Sequence, residues 1–343
     1  MDEMPSWVPG AACWILCLLA LTGCKPPEQA SAKAIVGAVL LDGTGGPPIS
    51  DSVVIVRGMR VSAVGPRDSL VVPAEAEKID GAGKFLAPGL IDVGTRARSE
   101  KDLDAYLDRG VTTLRSLDAS AAAFAVRQAE RQGSLVTARL LIAGPANTPR
   151  EVAALAAQQA DGILIRAHDP TLLDECRKDH IPAVAEISSL ADARFMLDNG
   201  AAGFLGMIRD TPAIDAPLIA RLRDLQVIFA PQLAAIQAPA ELALAQANTK
   251  RLADGGVALA VASGGDTARE MALLAAAGLS PAEVLVSASR HGASTLGHLD
   301  ELGTIEPGKR ADLLLLSANP ADDVRNLAKI ERVMLDGQWV RPR

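Results

Sequence analysis

The sequence predicts an α/β fold, a TIM-like (β/α)8 barrel with a small β-sandwich domain formed by both chain ends. In the middle of the chain, short apolar runs alternate with helix-like runs, as in repeated βα units. At both ends, β-branched runs separated by Gly, Pro and Asp are typical of a small sheet. The chain has 343 residues, of which 49% are apolar, so it can bury a large core.

Charge and aromatic content argue against one class of partner. The formal net charge is −7, and aromatic residues make up 3% of the chain. The sequence has no cluster of Lys and Arg and few rings on which bases could stack. Nucleic acid is therefore not expected as a partner.

The first 23 residues are expected to be a signal peptide. Residues 11–21 form an apolar run that is too short to span a bilayer and suits the core of a signal peptide. The following Leu21-Thr22-Gly23-Cys24 is similar to the bacterial lipobox, in which the cysteine is lipidated and becomes the mature N-terminus. Asp2 and Glu3 depart from the usual basic start. An ordinary signal peptide and a buried helix therefore stay open as alternatives.

Residues 24–33 are polar and contain prolines, as expected of a tether. Lys25 stands where inner-membrane retention signals usually carry Asp. The resemblance therefore implies a lipid anchor at Cys24 in the outer membrane, with the body facing the periplasm. Translation could begin at Met1 or at Met4.

The two chain ends are predicted to build the composite β-sandwich domain, from residues 34–85 and 301–343. Strand-like runs separated by turn residues occur at 34–41, 52–56, 59–64, 311–316 and 330–340. The last run is interrupted by Asp336-Gly337, as in a hairpin.

Residues 86–300 are predicted to form the barrel. Its eight strands are expected at 86–93, 112–117, 138–143, 162–166, 183–187, 203–206, 227–230 and 258–263. Helices are expected between them, for example at 101–109, 121–132, 151–159, 189–199 and 239–253. Gly110, Gly133 and Gly200 follow three of these helices, where a left-handed C-cap is expected.

Other catalytic motifs are not apparent. The sequence has no Gly-x-Ser-x-Gly elbow, no P-loop and no dinucleotide-binding glycine motif. Cys13, Cys17 and Cys24 lie in the N-terminal segment, so the cysteines do not indicate a disulfide framework. Cys176 falls in a predicted helix at 172–178 without an activating partner, and a packing role is expected.

Two segments resemble the amidohydrolase superfamily. Pro88-Gly89-Leu90-Ile91-Asp92 begins a stretch similar to the first barrel strand of that superfamily, which runs Pro-Gly-Leu-Ile-Asp-x-His-x-His. Residues 302–313, from Leu302-Gly303-Thr304 to Ala311-Asp312-Leu313, resemble its closing segment. The resemblance implies the barrel-and-sandwich fold over residues 34–343. Its nearest branch is the imidazolonepropionase-like hydrolases and related dipeptidases, which cleave amide or ring C–N bonds with bound zinc.

The same resemblance places metal ligands at the ends of strands one, four, five, six and eight. In this chain, the six ligand positions are occupied by Gly94, Arg96, Leu164, Glu186, Gly206 and Gly264. Only Glu186 offers a lone pair, because glycine and leucine side chains have none and a guanidinium is a permanent cation. We therefore expect no metal cofactor. The alternative is zinc held by relocated ligands, and Glu186, His168 and Asp266 are the catalytic candidates.

The remaining polar residues at the predicted mouth suggest a ligand-binding pocket of mixed charge. They are Arg96, Arg98, Arg166, His168, Glu186 and Asp266, with Arg115 as a further candidate. Because an unpaired buried ion is costly, we expect Arg96 or Arg166 to pair with Glu186. The alternative is that these arginines face solvent at the rim.

These observations leave three functions open. The leading hypothesis is a lipid-anchored degenerate homologue that lacks metal-dependent hydrolysis and binds a small-molecule ligand or an envelope protein through the barrel mouth. The second is a hydrolase of non-peptide C–N bonds (amide or cyclic amide), or a dipeptidase, with relocated zinc ligands. The third is metal-free catalysis by a carboxylate–arginine site. The sequence does not indicate an oligomeric state.

Overall fold

The computed structural model describes residues 32–166, 168–201 and 203–341. The predicted signal peptide, the lipidation site Cys24 and most of the tether lie outside these residues. The last two tether residues belong instead to the first strand, which begins at Ala32. None of the helices in these three ranges is long and apolar enough to cross a membrane.

The described chain contains fifteen strands and ten α-helices. The strands are β1 (Ala32–Leu40), β2 (Ile49–Arg57), β3 (Arg60–Pro66), β4 (Glu77–Asp80), β5 (Phe85–Pro88), β6 (Leu90–Thr95), β7 (Val111–Ser116), β8 (Arg139–Ala146), β9 (Gly162–Ile165), β10 (Ala183–Glu186), β11 (Gly203–Leu205), β12 (Ile228–Ala230), β13 (Leu313–Leu316), β14 (Ile330–Leu335) and β15 (Gln338–Arg341). The helices are α1 (Glu100–Leu107), α2 (Ala121–Arg131), α3 (Pro149–Ala157), α4 (Pro170–Lys178), α5 (Leu190–Asp198), α6 (Ala216–Asp224), α7 (Pro239–Asp254), α8 (Thr267–Ala276), α9 (Pro281–Ser287) and α10 (Arg290–Thr295).

Strands β6 to β12 form a parallel sheet in sequence order, with helices between them, and this sheet is the wall of the predicted barrel. The eighth strand is less regular than the sequence predicts, because residues 258–263 form a single bridge, Leu259 to Phe229. Backbone bonds on both sides nevertheless close the barrel. Ala260 N donates to Phe229 O at 2.7 Å in β12, and Val93 N in β6 donates to Val261 O at 2.8 Å.

The predicted first barrel strand, 86–93, is divided in the structure. Residues up to Pro88 belong to β5 of the second sheet, and the barrel strand begins at Leu90. Gly89 makes the transition, where its N–H donates to Asp312 O at 2.8 Å. A Cβ at Gly89 would lie 2.2 Å from Thr112 Oγ1, so the chain can pass this close to β7 only with glycine.

The barrel interior is packed with aliphatic side chains. Each of the strands β6 and β8 to β12, together with the eighth segment, contributes to one buried cluster. Its members from these strands are Ile91, Val93, Ala143, Leu164, Val184, Leu205, Ala230, Ala260 and Ala262. A separate and larger apolar layer lies between the barrel and its helices. The lumen is thus a core rather than an open channel.

The second sheet combines both chain ends, as the sequence predicts. Its strand order is β15-β14-β13-β5-β1-β2-β3, with β4 paired to β1. The sheet returns on itself, because Val61 N in β3 donates to Lys309 O at 2.9 Å and Ala311 N donates to Met59 O at 2.8 Å, just before β13 begins. Strands from both ends therefore enclose one apolar core, which includes Ile35, Val54 and Leu313.

Arg139, at the start of β8, connects the barrel to this sheet. Its guanidinium donates to Asp312 Oδ2 at 3.0 Å, to Asp336 Oδ1 at 3.0 Å and to Thr113 Oγ1 at 2.8 Å. Although burial opposes the charged form, the carboxylates of Asp312 and Asp336 outweigh it and raise the pKa of Arg139. One planar guanidinium thus satisfies two carboxylates across the boundary between the two sheets.

Replacing Arg139 by Met should destabilise the protein by about 3–5 kcal/mol, because buried Asp312 would lose its cation. Urea unfolding followed by circular dichroism measures this loss. Arg131→Met is the matched control, since Arg131 pairs with Asp161 at 2.8 Å but is half exposed, and it should cost less than about 1 kcal/mol. Equal losses in the two variants would contradict the role given to Arg139.

Candidate functional site at the barrel mouth

Asp92 joins the first and eighth strands at the mouth. This buried carboxylate accepts hydrogen bonds from Gly94 N at 3.2 Å, Ser263 N at 3.1 Å and Thr267 Oγ1 at 2.8 Å. Burial raises the pKa of Asp92, against the opposing hydrogen bonds. Its role is structural, because the bonds from Ser263 and Thr267 link β6 to the segment that enters α8.

Two of the expected ligand positions have no room for a side chain. A Cβ at Gly94 would lie 2.8 Å from Ala262 Cβ and 3.1 Å from Leu205 Cδ1. A Cβ at Gly206 would lie 2.3 Å from Ile187 O, and Gly206 has a φ of +93°. Real Cβ atoms do not approach other atoms this closely, so a histidine at either position would require the strands to move.

Two further ligand positions also lack a donor. Leu164 is fully buried in the aliphatic lumen. Gly264 is exposed, has a φ of +68° and has open space around it. Its N–H donates to Gly94 O at 2.8 Å and so continues the seam between the first and eighth strands.

The predicted pairing at Glu186 is present in the structure. Arg166, directly after β9, donates through Nε to Glu186 Oε2 at 2.5 Å at the end of β10. About half of the Arg166 side chain is exposed, and Glu186 is 36% exposed. The one acidic residue at a ligand position is therefore already neutralised by a cation from the neighbouring strand.

Within the described residues, the ion pair of Glu186 is with Arg166 and not with Arg96 or Arg98. Arg96 and Arg98 are both exposed, and Arg98 Nη1 lies 3.8 Å from Asp118 Oδ2 after β7. Partial burial would raise the pKa of Asp118, but hydrogen bonds from Ser120 and the charges of Arg98 and Arg96 outweigh it and lower that pKa. Arg96 faces solvent, which is the alternative that the sequence left open for these arginines. Arg115 is buried and donates through Nε to Val93 O at 2.9 Å.

His168 is held by helix α5 rather than by the other zinc candidates. Its Nε2 lies 2.7 Å from Asp192 Oδ1, and its ring stacks on Phe195 with centroids 4.7 Å apart. Partial burial would raise the pKa of Asp192, but hydrogen bonds from Ser188 and Ser189 outweigh it and lower that pKa. His168 is thus positioned by an anion that the sequence did not associate with it.

Asp266 is the N-cap of α8, where its Oδ1 accepts from Arg269 N at 3.1 Å. Within residues 32–166, 168–201 and 203–341, no three His, Cys, Asp or Glu side chains lie together as a metal site requires. The set of Glu186, His168 and Asp266 is therefore not assembled. These donor positions do not fit a tetrahedral zinc site, which takes three or four converging N, O or S ligands.

Sequence reasoning missed Glu270, a buried acid behind the mouth. Glu270 has no exposed surface, and its two oxygens accept from Leu233 N at 3.0 Å and Ala234 N at 2.6 Å. Burial raises the pKa of Glu270 to about 8, against these opposing bonds. A sequence signal existed, because Glu270 falls on the same helical face as the buried residues Thr267, Met271 and Leu274.

Glu270 should make the protein less stable as pH rises. Its pKa is about 8 in the folded chain and near 4.5 in an unfolded one, so the folded state binds the extra proton between these values. The free energy of unfolding should therefore fall by a few kcal/mol from about pH 5 to pH 8 through this group. Urea unfolding at several pH values measures the slope.

Glu270→Gln removes the titration and should flatten this slope, whatever its effect on absolute stability. Glu241→Gln is the control, because Glu241 is exposed in the first turn of α7. A slope unchanged in Glu270→Gln would show that the group does not titrate in this range.

Part of the chain matches a known protein family, and solved structures are similar to it over most of its length. Residues 215–340 match the amidohydrolase family, whereas no curated protein sequence matches the chain. A solved structure of a putative prolidase from Bifidobacterium longum is similar, with 25% identity, a TM-score of 0.77 and coverage of 92% of this chain and 95% of that one.

Two more distant structures share the fold. A molinate hydrolase has 19% identity and a TM-score of 0.79, with 91% of this chain and 95% of that chain covered. A Xaa-Pro dipeptidase with bound methionine has 18% identity and a TM-score of 0.75, with 90% and 100% covered. Residues 215–340 thus match the amidohydrolase family, and the chain has the TIM-like barrel fold with an additional sheet that these solved structures share.

Proposed function

We propose that this barrel is a binding module that has lost the metal-dependent hydrolysis implied by its fold. The observation that carries the proposal is the packing at Gly94 and Gly206, where the neighbours Ala262, Leu205 and Ile187 occupy the space that ligand side chains would need. The ion pair between Arg166 and Glu186 gives independent support. In this pair, the guanidinium of Arg166 neutralises the carboxylate of Glu186 without a metal.

The proposed ligand is a small molecule or an envelope protein that binds at the rim of the mouth. Arg96, Arg98 and His168 are exposed there, and exposed guanidinium groups favour carboxylate or phosphate groups. Because the lumen beneath is filled by Leu164 and its neighbours, the ligand would bind on the strand ends rather than inside the barrel.

A second candidate function is hydrolysis of an amide or related C–N bond. It is favoured by the match of residues 215–340 to the amidohydrolase family and by similarity to a putative prolidase over 92% of the chain. In this function, Glu186, His168 and Asp266 would have to leave their present partners to hold zinc. Metal-free catalysis by Glu186 and Arg166 is the remaining variant.

Hydrolysis assays separate these functions. The purified protein is incubated with dipeptides, including Xaa-Pro dipeptides, with N-acyl amino acids and with cyclic amides, in added zinc and separately in EDTA. We expect no turnover in either condition. Turnover that EDTA abolishes would overturn the proposal in favour of zinc hydrolysis, and turnover unchanged in EDTA would favour the carboxylate–arginine site. Glu186→Gln should abolish either activity.

We further propose that the protein is a lipoprotein of the outer membrane, anchored through Cys24 and facing the periplasm. The support is the sequence Leu21-Thr22-Gly23-Cys24 together with Lys25. Labelling with radioactive palmitate in a bacterial host should mark the wild-type protein and not Cys24→Ser. Cys17→Ser should keep the label, and label retained in Cys24→Ser would contradict the anchor.

A further inference from the structure

A cavity lies at the pole of the barrel opposite the mouth. Its volume is about 590 Å3, and its wall includes Val257, Leu259 and Leu279, near the start of the eighth segment and before α9. Because barrel strands begin at the pole remote from the mouth, this cavity is separate from the site described above. Its volume falls within the range of small-molecule sites.

His291 presents a hydrogen-bond acceptor to this cavity. Its Nδ1 lies 2.8 Å from Leu259 O, and a carbonyl can only accept, so Nδ1 carries the proton. Burial lowers the pKa of His291, and the ring is therefore neutral at pH 7. Its Nε2 then has a lone pair that can accept a hydrogen bond from a ligand.

Arg290 and Glu283 give the cavity one positive and one negative group. Arg290 lines the cavity and donates one hydrogen bond, from Nη1 to Thr44 O at 3.2 Å. A guanidinium has five N–H donors, so others remain for an anion. Glu283 also lines the cavity, and its Oε2 accepts from Ser280 N and Ser280 Oγ, both at 2.7 Å. Its second oxygen makes no hydrogen bond within the described residues.

We propose that this cavity binds a free aliphatic α-amino acid. The guanidinium of Arg290 would take the carboxylate, and Glu283 with His291 Nε2 would take the ammonium. The aliphatic wall of Val257, Leu259 and Leu279 would hold the side chain. An acid alone would make no use of Glu283, and an amine alone would make no use of Arg290.

Isothermal titration calorimetry with L-leucine tests this proposal on the full protein. We expect binding in the micromolar to low millimolar range. 4-Methylpentanoate lacks the ammonium group and isoamylamine lacks the carboxylate, and each should bind at least ~10-fold more weakly, because each loses the charge-assisted hydrogen bonds at one of its two ends.

Two variants locate the site. Arg290→Gln and Glu283→Gln should each weaken leucine binding at least ~10-fold. Glu283→Gln should keep the fold, because Gln also serves at the third position of a capping box. Arg67→Gln is the control and should bind normally, since Arg67 is an exposed arginine directly after β3 whose ion pair with Asp51 is long, at 3.7 Å.

Three results would overturn the proposal. The first is no heat of binding with L-leucine in the wild-type protein. The second is unchanged affinity in both Arg290→Gln and Glu283→Gln. The third is loss of binding in Arg166→Gln with normal binding in Arg290→Gln, which would place the amino acid at the mouth.

Discussion

The hydrogen bonds to Asp92 are the constraint on which the mouth of this barrel depends. A single carboxylate accepts from Gly94 in the first strand, from Ser263 in the eighth segment and from Thr267 at the start of α8. The eighth segment has little regular pairing of its own, so the bonds from Ser263 and Thr267 to Asp92 add to two backbone bonds, at Val261 and Gly264, that hold it beside β6. The bonds to Asp92 also fix the start of α8, the helix from which Glu270 reaches the turn at Leu233 and Ala234.

This closure explains why the mouth does not suit a metal. With the first strand held against the eighth, Gly94 lies so close to Ala262 that even a Cβ would collide. The lumen below is aliphatic and fully buried at Leu164 and Leu205. A buried ion in such surroundings would be costly without several ligands. The charges that remain are placed at the exposed rim, where Arg166 meets Glu186 and Arg98 lies near Asp118.

Much of the fold could be predicted because its signals are local. Gly110, Gly133 and Gly200 have the expected positive φ after their helices, since a left-handed residue favours glycine wherever the helix ends. The division of the first predicted strand at Gly89 could not be predicted in this way. It depends on Thr112 and Asp312, which are distant in sequence and approach Gly89 only in the folded chain.

Only some of the contacts at the candidate site could be predicted from the sequence. Charge balance led us to expect that Arg96 or Arg166 pairs with Glu186, and in the structure the partner is Arg166, which follows the neighbouring strand. The partner of His168 was not predictable, since Asp192 reads in the sequence as part of a capping box with Ser189 and serves both groups. The role of Asp266 was not predictable either, because an acid after a strand can cap the next helix as readily as it can bind a metal.

Zinc stoichiometry is the measurement that most directly tests whether the packed strand ends exclude a metal. The protein is purified without chelators, equilibrated with zinc and passed through a desalting column, and bound zinc is then measured by inductively coupled plasma mass spectrometry. The packing at Gly94, Leu164 and Gly206 predicts far less than one zinc per chain. One zinc per chain in the wild-type protein, lost in Glu186→Gln, would contradict it.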